Sequence, residues 1–281
     1  MRRALRHTWY MTRRHLMGLF RQPVWIAITL VQPIIWILLY GALFKRIVDI
    51  PGFGSNNYID FLTPGIVLMT ALFSGGWTGM GLIEDMKAGV TDRFLVTPVS
   101  RGALIAGRLL MLGIIAVIQS AILLSIGMLL GASYRENPAG LLLLVVCSVL
   151  LGASFGALST AMAVVVRKEE TVIAAVNFII LPLTFLSGVF ITLSLAPGWI
   201  RTAARFNPVN WAVEAGRGAL ASSPDWGVVL GRIGLHAAQE MERHLLPIDD
   251  VRAQALRRHQ RIRQHVQEGA PDQGTGGERH E

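Results

Sequence analysis

Hydrophobic and polar positions along this chain do not alternate; they separate into blocks. Five stretches, 24–44, 61–83, 109–134, 137–166 and 171–200, contain no Asp, Glu, Lys or Arg. Their lengths are 21, 23, 26, 30 and 30 residues. An α-helix rises about 1.5 Å per residue and a bilayer's hydrocarbon core is about 30 Å thick, so about 20 apolar residues cross it. Each stretch reaches that length. Uncharged helices buried in water-soluble cores are much shorter. Five long runs in succession predict an all-α polytopic membrane protein with five transmembrane helices.

The segments between the runs carry their own patterns. Residues 1–23, "MRRALRHTWYMTRRHLMGLFRQP", put Leu5, Trp9, Leu16, Leu19 and Phe20 on one helical face, with Arg2, Arg6 and Arg13 beside it. That predicts a cytoplasmic amphipathic helix along the inner leaflet, arginines toward anionic headgroups, ended by Pro23. An unstructured basic leader is the plainer alternative. The segment lacks the apolar core of a cleavable signal, so the first run itself is expected to direct insertion. Pro33, Pro64 and Pro182 lie inside runs, where the carbonyls they free need protein partners. Gly75, Gly76, Gly79 and Gly81 in the second run, and Gly152, Ala153, Ser154, Gly156 and Ala157 in the fourth, predict close helix approach. Residues 196–225 read as an outer re-entrant hairpin. Short helices over 203–206 and 211–220 break at Asn207-Pro208, with Trp199 and Trp211 as interfacial anchors.

Composition sharpens this picture. The net charge of +8 and pI of about 10.5 would suggest nucleic acid for a soluble chain. Here the basic residues sit at the ends of runs, and no base-reading or stacking module accompanies them. With a cytoplasmic N-terminus, the inner segments 1–23, 84–108 and 167–170 hold twelve Lys/Arg, and the outer segments 45–60, 135–136 and 201–217 hold six. The positive-inside rule favours that orientation. One cysteine, Cys147, allows neither an internal disulfide nor a thiol metal site. Walker A, H-E-x-x-H and G-x-S-x-G patterns are absent, so no cofactor, metal or catalytic residue is expected on this chain. The runs also lack the ionisable groups that ion-coupled carriers use. Energy is therefore expected to enter from outside the bilayer. Past Trp226 the apolar run lasts ten residues and already holds Arg232. Spanning with 226–244 would bury four charges, at about 2.5–3.5 kcal/mol each near the centre. Residues 226–281 are expected to form an atypical basic segment instead, helical over 248–267 and then disordered.

The loop 84–108, "EDMKAGVTDRFLVTPVSRGALIAGR", is the most particular stretch. Gly89 permits a break, Thr91 is a candidate N-cap, and Asp92 suits a helix N-terminus. Phe94 and Leu95 would then project as an apolar knob from a short helix stopped by Pro98, and Ser100 can cap the next helix. Such a knob fits either a groove on a partner or the membrane surface. "GVTDRFLVTPVSRGALIAGRLL", with Glu84 ahead of it, resembles the cytoplasmic loop of type-2 ATP-binding-cassette exporter permeases, nearest the daunorubicin-resistance branch. "RQPVW" and "FNPVNWAVEAGRGAL" also resemble that family, over roughly residues 5–225. The resemblance implies a permease subunit without its own ATPase, paired as a homodimer or with a related permease on two separate ATP-binding subunits that carry ATP and Mg. The loop would be the coupling helix, with Asp92, Arg93, Phe94, Leu95, Thr97, Pro98 and Arg101 making the contact. It further implies export of a hydrophobic drug-like or lipid-like molecule across a bacterial plasma membrane. The family has six spans, against five here. Two other functions stay open: a lipid-acting membrane enzyme, needing Glu214 or Glu84 beside a histidine, and an ion-coupled carrier.

Overall fold

The computed structural model describes residues 10, 12–13, 17, 23–51, 53, 55–89, 101–134 and 137–220, with 23–27 and 101–105 by backbone alone. The chain divides into two units, Met1–His236 and Ala237–Glu281, and every described residue lies in the first. All regular structure among them is helical: α1 (Pro23–Leu43), α2 (Tyr58–Gly76), α3 (Thr78–Lys87), α4 (Arg101–Leu129), α5 (Pro138–Val166), α6 (Glu169–Phe185), α7 (Gly198–Arg205) and α8 (Pro208–Leu220). Short 3-10 turns occupy Lys45–Asp49 and Leu193–Leu195.

Among the described residues three stretches are long and apolar enough to cross a membrane: Tyr58–Lys87, Ala106–Leu129 and Pro138–Val166. The first run is helical from residue 24 to Leu43, within the 21-residue α1. The fifth run differs from expectation. Only α6 is helical, 17 residues long, and the chain turns at Leu186–Ser187–Gly188 instead of continuing to residue 200. There the Ser187 hydroxyl donates back to the Thr184 carbonyl (2.6 Å), and the following residues leave the helix. Lack of charge marked the solvent of this run, not its conformation. The side chains facing away from the bundle are apolar: Ile28, Val31, Ile35 and Leu38 form a stripe on α1, and Phe178, Leu181 and Phe185 another on α6. Exposed apolar faces of that extent are what a bilayer covers. The protein is a multi-pass membrane protein.

Helix α5 is the hub, packing against α2, α3, α4, α6 and α8. Small residues let it. A Cβ added at Gly75 would fall inside contact distance of the Gly152 carbonyl oxygen and 3.0 Å from the Gly156 nitrogen. Gly75, Gly152 and Gly156 are thus the seam the small-residue pattern predicted. Gly81 is not part of it; its nearest neighbour is the Arg108 guanidinium.

The second run is broken where α2 meets α3. Trp77 (φ −87°, ψ −6°) follows the Gly75–Gly76 pair, a usual site for a kink. Ser159 of α5 reaches into the break. Its hydroxyl accepts from the Gly79 N–H at 3.0 Å and donates to the Gly76 carbonyl. Backbone groups loosened by the kink are thereby bonded inside the apolar interior, where an orphan costs several kcal/mol.

Candidate functional site

The chain direction brings two clusters to opposite ends of the bundle. At one end α3 stops, α4 starts, and α5 gives way to α6. Ala88 and Gly89 bond back to Glu84 and Met86, and Gly89 has φ +66°, the left-handed cap that glycine alone adopts cheaply. The predicted break at Gly89 is present. Two ion pairs flank it. Arg108 of α4, 9% exposed, pairs with Asp85 of α3 and reaches the Thr78 and Gly81 carbonyls at 3.4 Å. Lys87 pairs with Glu169 of α6 at 2.9 Å but is 62% exposed. The buried pair is therefore the structural one, since removing one partner strands a charge at about 3–5 kcal/mol, whereas exposed pairs contribute about 0–1 kcal/mol. Thr12 is buried here too, its hydroxyl donating to the Gly107 carbonyl at 3.2 Å.

This end holds the base of the predicted coupling loop. Asp92, Arg93, Phe94, Leu95, Thr97 and Pro98 lie outside the described residues, as do Thr91 and Ser100; Arg101 begins α4, described by its backbone. The structure thus supplies the frame on both sides of the loop: α3 and α4, joined through Asp85 and Arg108. Neither residue of that pair stood out in the sequence, because a charge near a span end reads as a topological signal whether or not it is partnered. The predicted C-terminal features over 226–281 also fall outside the described residues, and of the amphipathic segment 1–23 only Tyr10, Thr12, Arg13, Met17 and the helix start at Pro23 are described.

At the other end α7 and α8 cap the bundle. Asn207 ends α7's turn and caps α8, its side-chain oxygen accepting from the Val209 N–H (2.9 Å) and its amide donating to the Leu183 carbonyl (2.6 Å). Pro208 is the first residue of α8, where a missing N–H is harmless. The break predicted at Asn207-Pro208 is present, but both helices begin earlier than predicted. Trp199 is exposed, and Trp211 bonds the Arg205 carbonyl (2.7 Å).

Arg217 of α8 fastens this cap. Its Nε donates to the Phe61 carbonyl (2.9 Å), Nη1 to Gly188 (2.6 Å) and Nη2 to Val189 (2.8 Å), and its guanidinium lies 3.5 Å over the Phe61 ring. Pro64 cannot bond the Asp60 carbonyl. The Tyr134 hydroxyl lies within reach of that oxygen (3.1 Å) and of Ile59's (3.0 Å). The partners that Pro64 was expected to need therefore include this hydroxyl.

Among the described residues no group of three or more His, Cys, Asp or Glu is arranged to hold a metal. Glu214 accepts from the Asn210 amide (3.0 Å) and Glu84 sits on α3; the seven histidines of the chain all lie outside the described residues. A family model described as ABC-2 type transporter matches residues 6–221. The daunorubicin resistance ABC transporter permease protein of Streptomyces coeruleorubidus is 27% identical over 215 residues, which cover 76% of this chain and 73% of its own. The inner membrane transport permease YadH of Escherichia coli is 24% identical over 212 residues, 69% of this chain and 75% of its own. The linearmycin resistance permease protein of Bacillus subtilis is 29% identical over 170 residues, 60% of this chain and 42% of its own.

Proposed function

The chain belongs to the ABC-2 type transporter family, and on that premise we propose that it is the membrane-spanning permease subunit of an ATP-driven exporter, working with a separate ATP-binding subunit. Its cargo is a hydrophobic drug-like or lipid-like molecule, its membrane the bacterial plasma membrane, and its N-terminus cytoplasmic. Two permease chains sit on two ATP-binding subunits. The observation that carries this reading is the family match across 6–221; the drug-resistance permease among its relatives supports the cargo class.

The geometry supports a route for the energy. A partner gripping 90–100 through Phe94 and Leu95 pulls on both α3 and α4. Because Asp85 pairs with Arg108, the two helix ends move as one body. α3 is separated from α2 by the break at Trp77, so the push reaches the spans as a change of angle at that break. The family match favours neither a lipid-acting enzyme nor an ion-coupled carrier.

Co-purification with the candidate ATP-binding subunit tests this. Phe94→Asp and Leu95→Asp are expected to reduce recovery of the complex at least tenfold while membrane insertion is unchanged. A complex that survives both substitutions overturns the coupling-helix assignment. Failure of the wild-type chain to associate with any such subunit overturns the exporter reading itself.

A further inference from the structure

Two amide side chains sit on the apolar outer faces of α1 and α6. Gln32 is exposed, on the α1 stripe of Ile28 and Ile35. Asn177 is half-buried, beside Ile173 and Leu181 on α6. Among the described residues neither amide has a hydrogen-bond partner. The two stand at one depth. α1 starts at the bundle end that holds Arg108 and Asp85, for its far end meets the start of α2, with the Phe44 ring 5.9 Å from that of Tyr58. α6 starts at the same end, after α5. Gln32 lies nine residues beyond Pro23 and Asn177 eight beyond Glu169, which places them about 14 Å and about 12 Å along their helices at about 1.5 Å per residue. Both helices pack on α2. At the other end Trp36 and Tyr40 of α1 lie 5.5 Å and 5.1 Å from Phe190, in the turn after α6. The two helices are therefore neighbours.

Hydrocarbon suits the isoleucines and leucines of these faces but gives an amide nothing to bond, and an unpaired polar group at that depth is costly. Gln32 stands midway along α1, too far from either end for its side chain to reach the headgroups. We propose that α1 and α6 form an interface with a second copy of this chain, in which Gln32 bonds Asn177 of the second copy. A twofold axis makes the contact reciprocal, since the rotation that sets Gln32 against the copy's Asn177 also sets Asn177 against the copy's Gln32. One operation thus satisfies four amides at one depth. Each amide both donates and accepts, so the match needs no charge, and such bonds between Asn and Gln hold membrane helices together. The inference rests on the reading that permease chains work in pairs, and adds which helices meet and that the second chain is identical.

The test uses membranes of cells that express the full-length chain under two tags, together with the candidate ATP-binding subunit. One copy carries Gln32→Cys, the other Asn177→Cys, and a short bis-maleimide bridges the thiols; the native Cys147 is buried. A cross-linked pair bearing both tags is expected, and none when Leu142→Cys, exposed on α5, replaces either. Pairing without cross-linker is read by co-purification of one tag with the other. Gln32→Leu is expected to weaken it at least about fivefold, Asn177→Leu similarly, and the double substitution no further than either alone. The exchange of Gln32→Asn with Asn177→Gln is expected to restore it. Bridging of two Gln32→Cys copies without bridging of the mixed pair overturns the proposal, as do additive losses in the double substitution. Labelling of both thiols by a water-soluble reagent in intact membranes also overturns it, since the amides would then line a water-filled path. Recovery of the ATP-binding subunit with no mixed cross-link overturns this interface alone; a mixed cross-link with no subunit recovered overturns the exporter reading alone.

Discussion

A methyl group on Gly75 would collide with the carbonyl oxygen of Gly152. The α2–α5 crossing therefore depends on the absence of a single carbon. Gly75→Ala is expected to cost about 1–3 kcal/mol through overpacking, outweighing alanine's helix-propensity gain of about 1 kcal/mol. Gly113 is the contrast, for a Cβ there meets only Val149 at 3.4 Å. Gly113→Ala is expected to be neutral or stabilising by up to about 1 kcal/mol. Thermal unfolding of the two variants in one detergent separates them; equal shifts would refute the steric account. At this scale the sequence was readable where a residue's role depends on its size. Gly75, Gly152 and Gly156 were picked out by spacing alone. Ser159 and Arg217 were not, since each is defined by backbone groups that folding delivers to it. A serine in an apolar run looks the same whether or not it stitches a helix break.

Among the elements, α8 shows how a short helix is held without an apolar face large enough to do it alone. Arg217 bonds carbonyls from two separate segments, Phe61 on α2 and Gly188 and Val189 in the turn after α6. A guanidinium reaches all three through one rigid fork, whereas an ammonium presents a single point. Arg217→Lys is therefore expected to lose most of the clamp although the charge is kept. Hydrogen bonds to charged groups contribute about 1.5–3 kcal/mol each, so loss of two shows as a lower unfolding temperature and earlier protease cleavage between α6 and α8. Cleavage at the wild-type rate would show the clamp to be dispensable. The break between α7 and α8 was legible because Asn-Pro is local chemistry. The end of α6 at Phe185 was not, since every residue around it is uncharged and either conformation satisfies a hydropathy pattern.

For the molecule as a whole, the Arg108 end and the α7–α8 cap must lie on opposite faces of the membrane, because α5 runs from one to the other over 29 residues. Glu170→Cys and Thr202→Cys place exposed thiols at the two ends, and the native Cys147 is buried. A membrane-impermeant maleimide is expected to label Thr202→Cys on intact cells and Glu170→Cys only in inverted vesicles. Labelling of both from one side would overturn the topology; the reverse pattern would overturn only the cytoplasmic N-terminus. Charge asymmetry between loops carried this orientation in the sequence, and span number carried the all-α class. Five spans from a cytoplasmic N-terminus would leave the basic stretch beyond residue 225 outside, against the preference of its charge; local pattern gives what a segment prefers, not where it ends up.

The early end of α6 has a consequence for the surrounding lipid. Its 17 residues rise about 26 Å at about 1.5 Å each, while α5's 29 residues rise about 43 Å. A bilayer about 30 Å thick therefore meets walls of unequal height around one protein. Thinning of the bilayer beside α6 is one way to match that difference, at fractions of a kcal/mol per Å of mismatch. Such a collar would lie next to the turn at 186–190, where the hydrocarbon beside the protein would be thinnest.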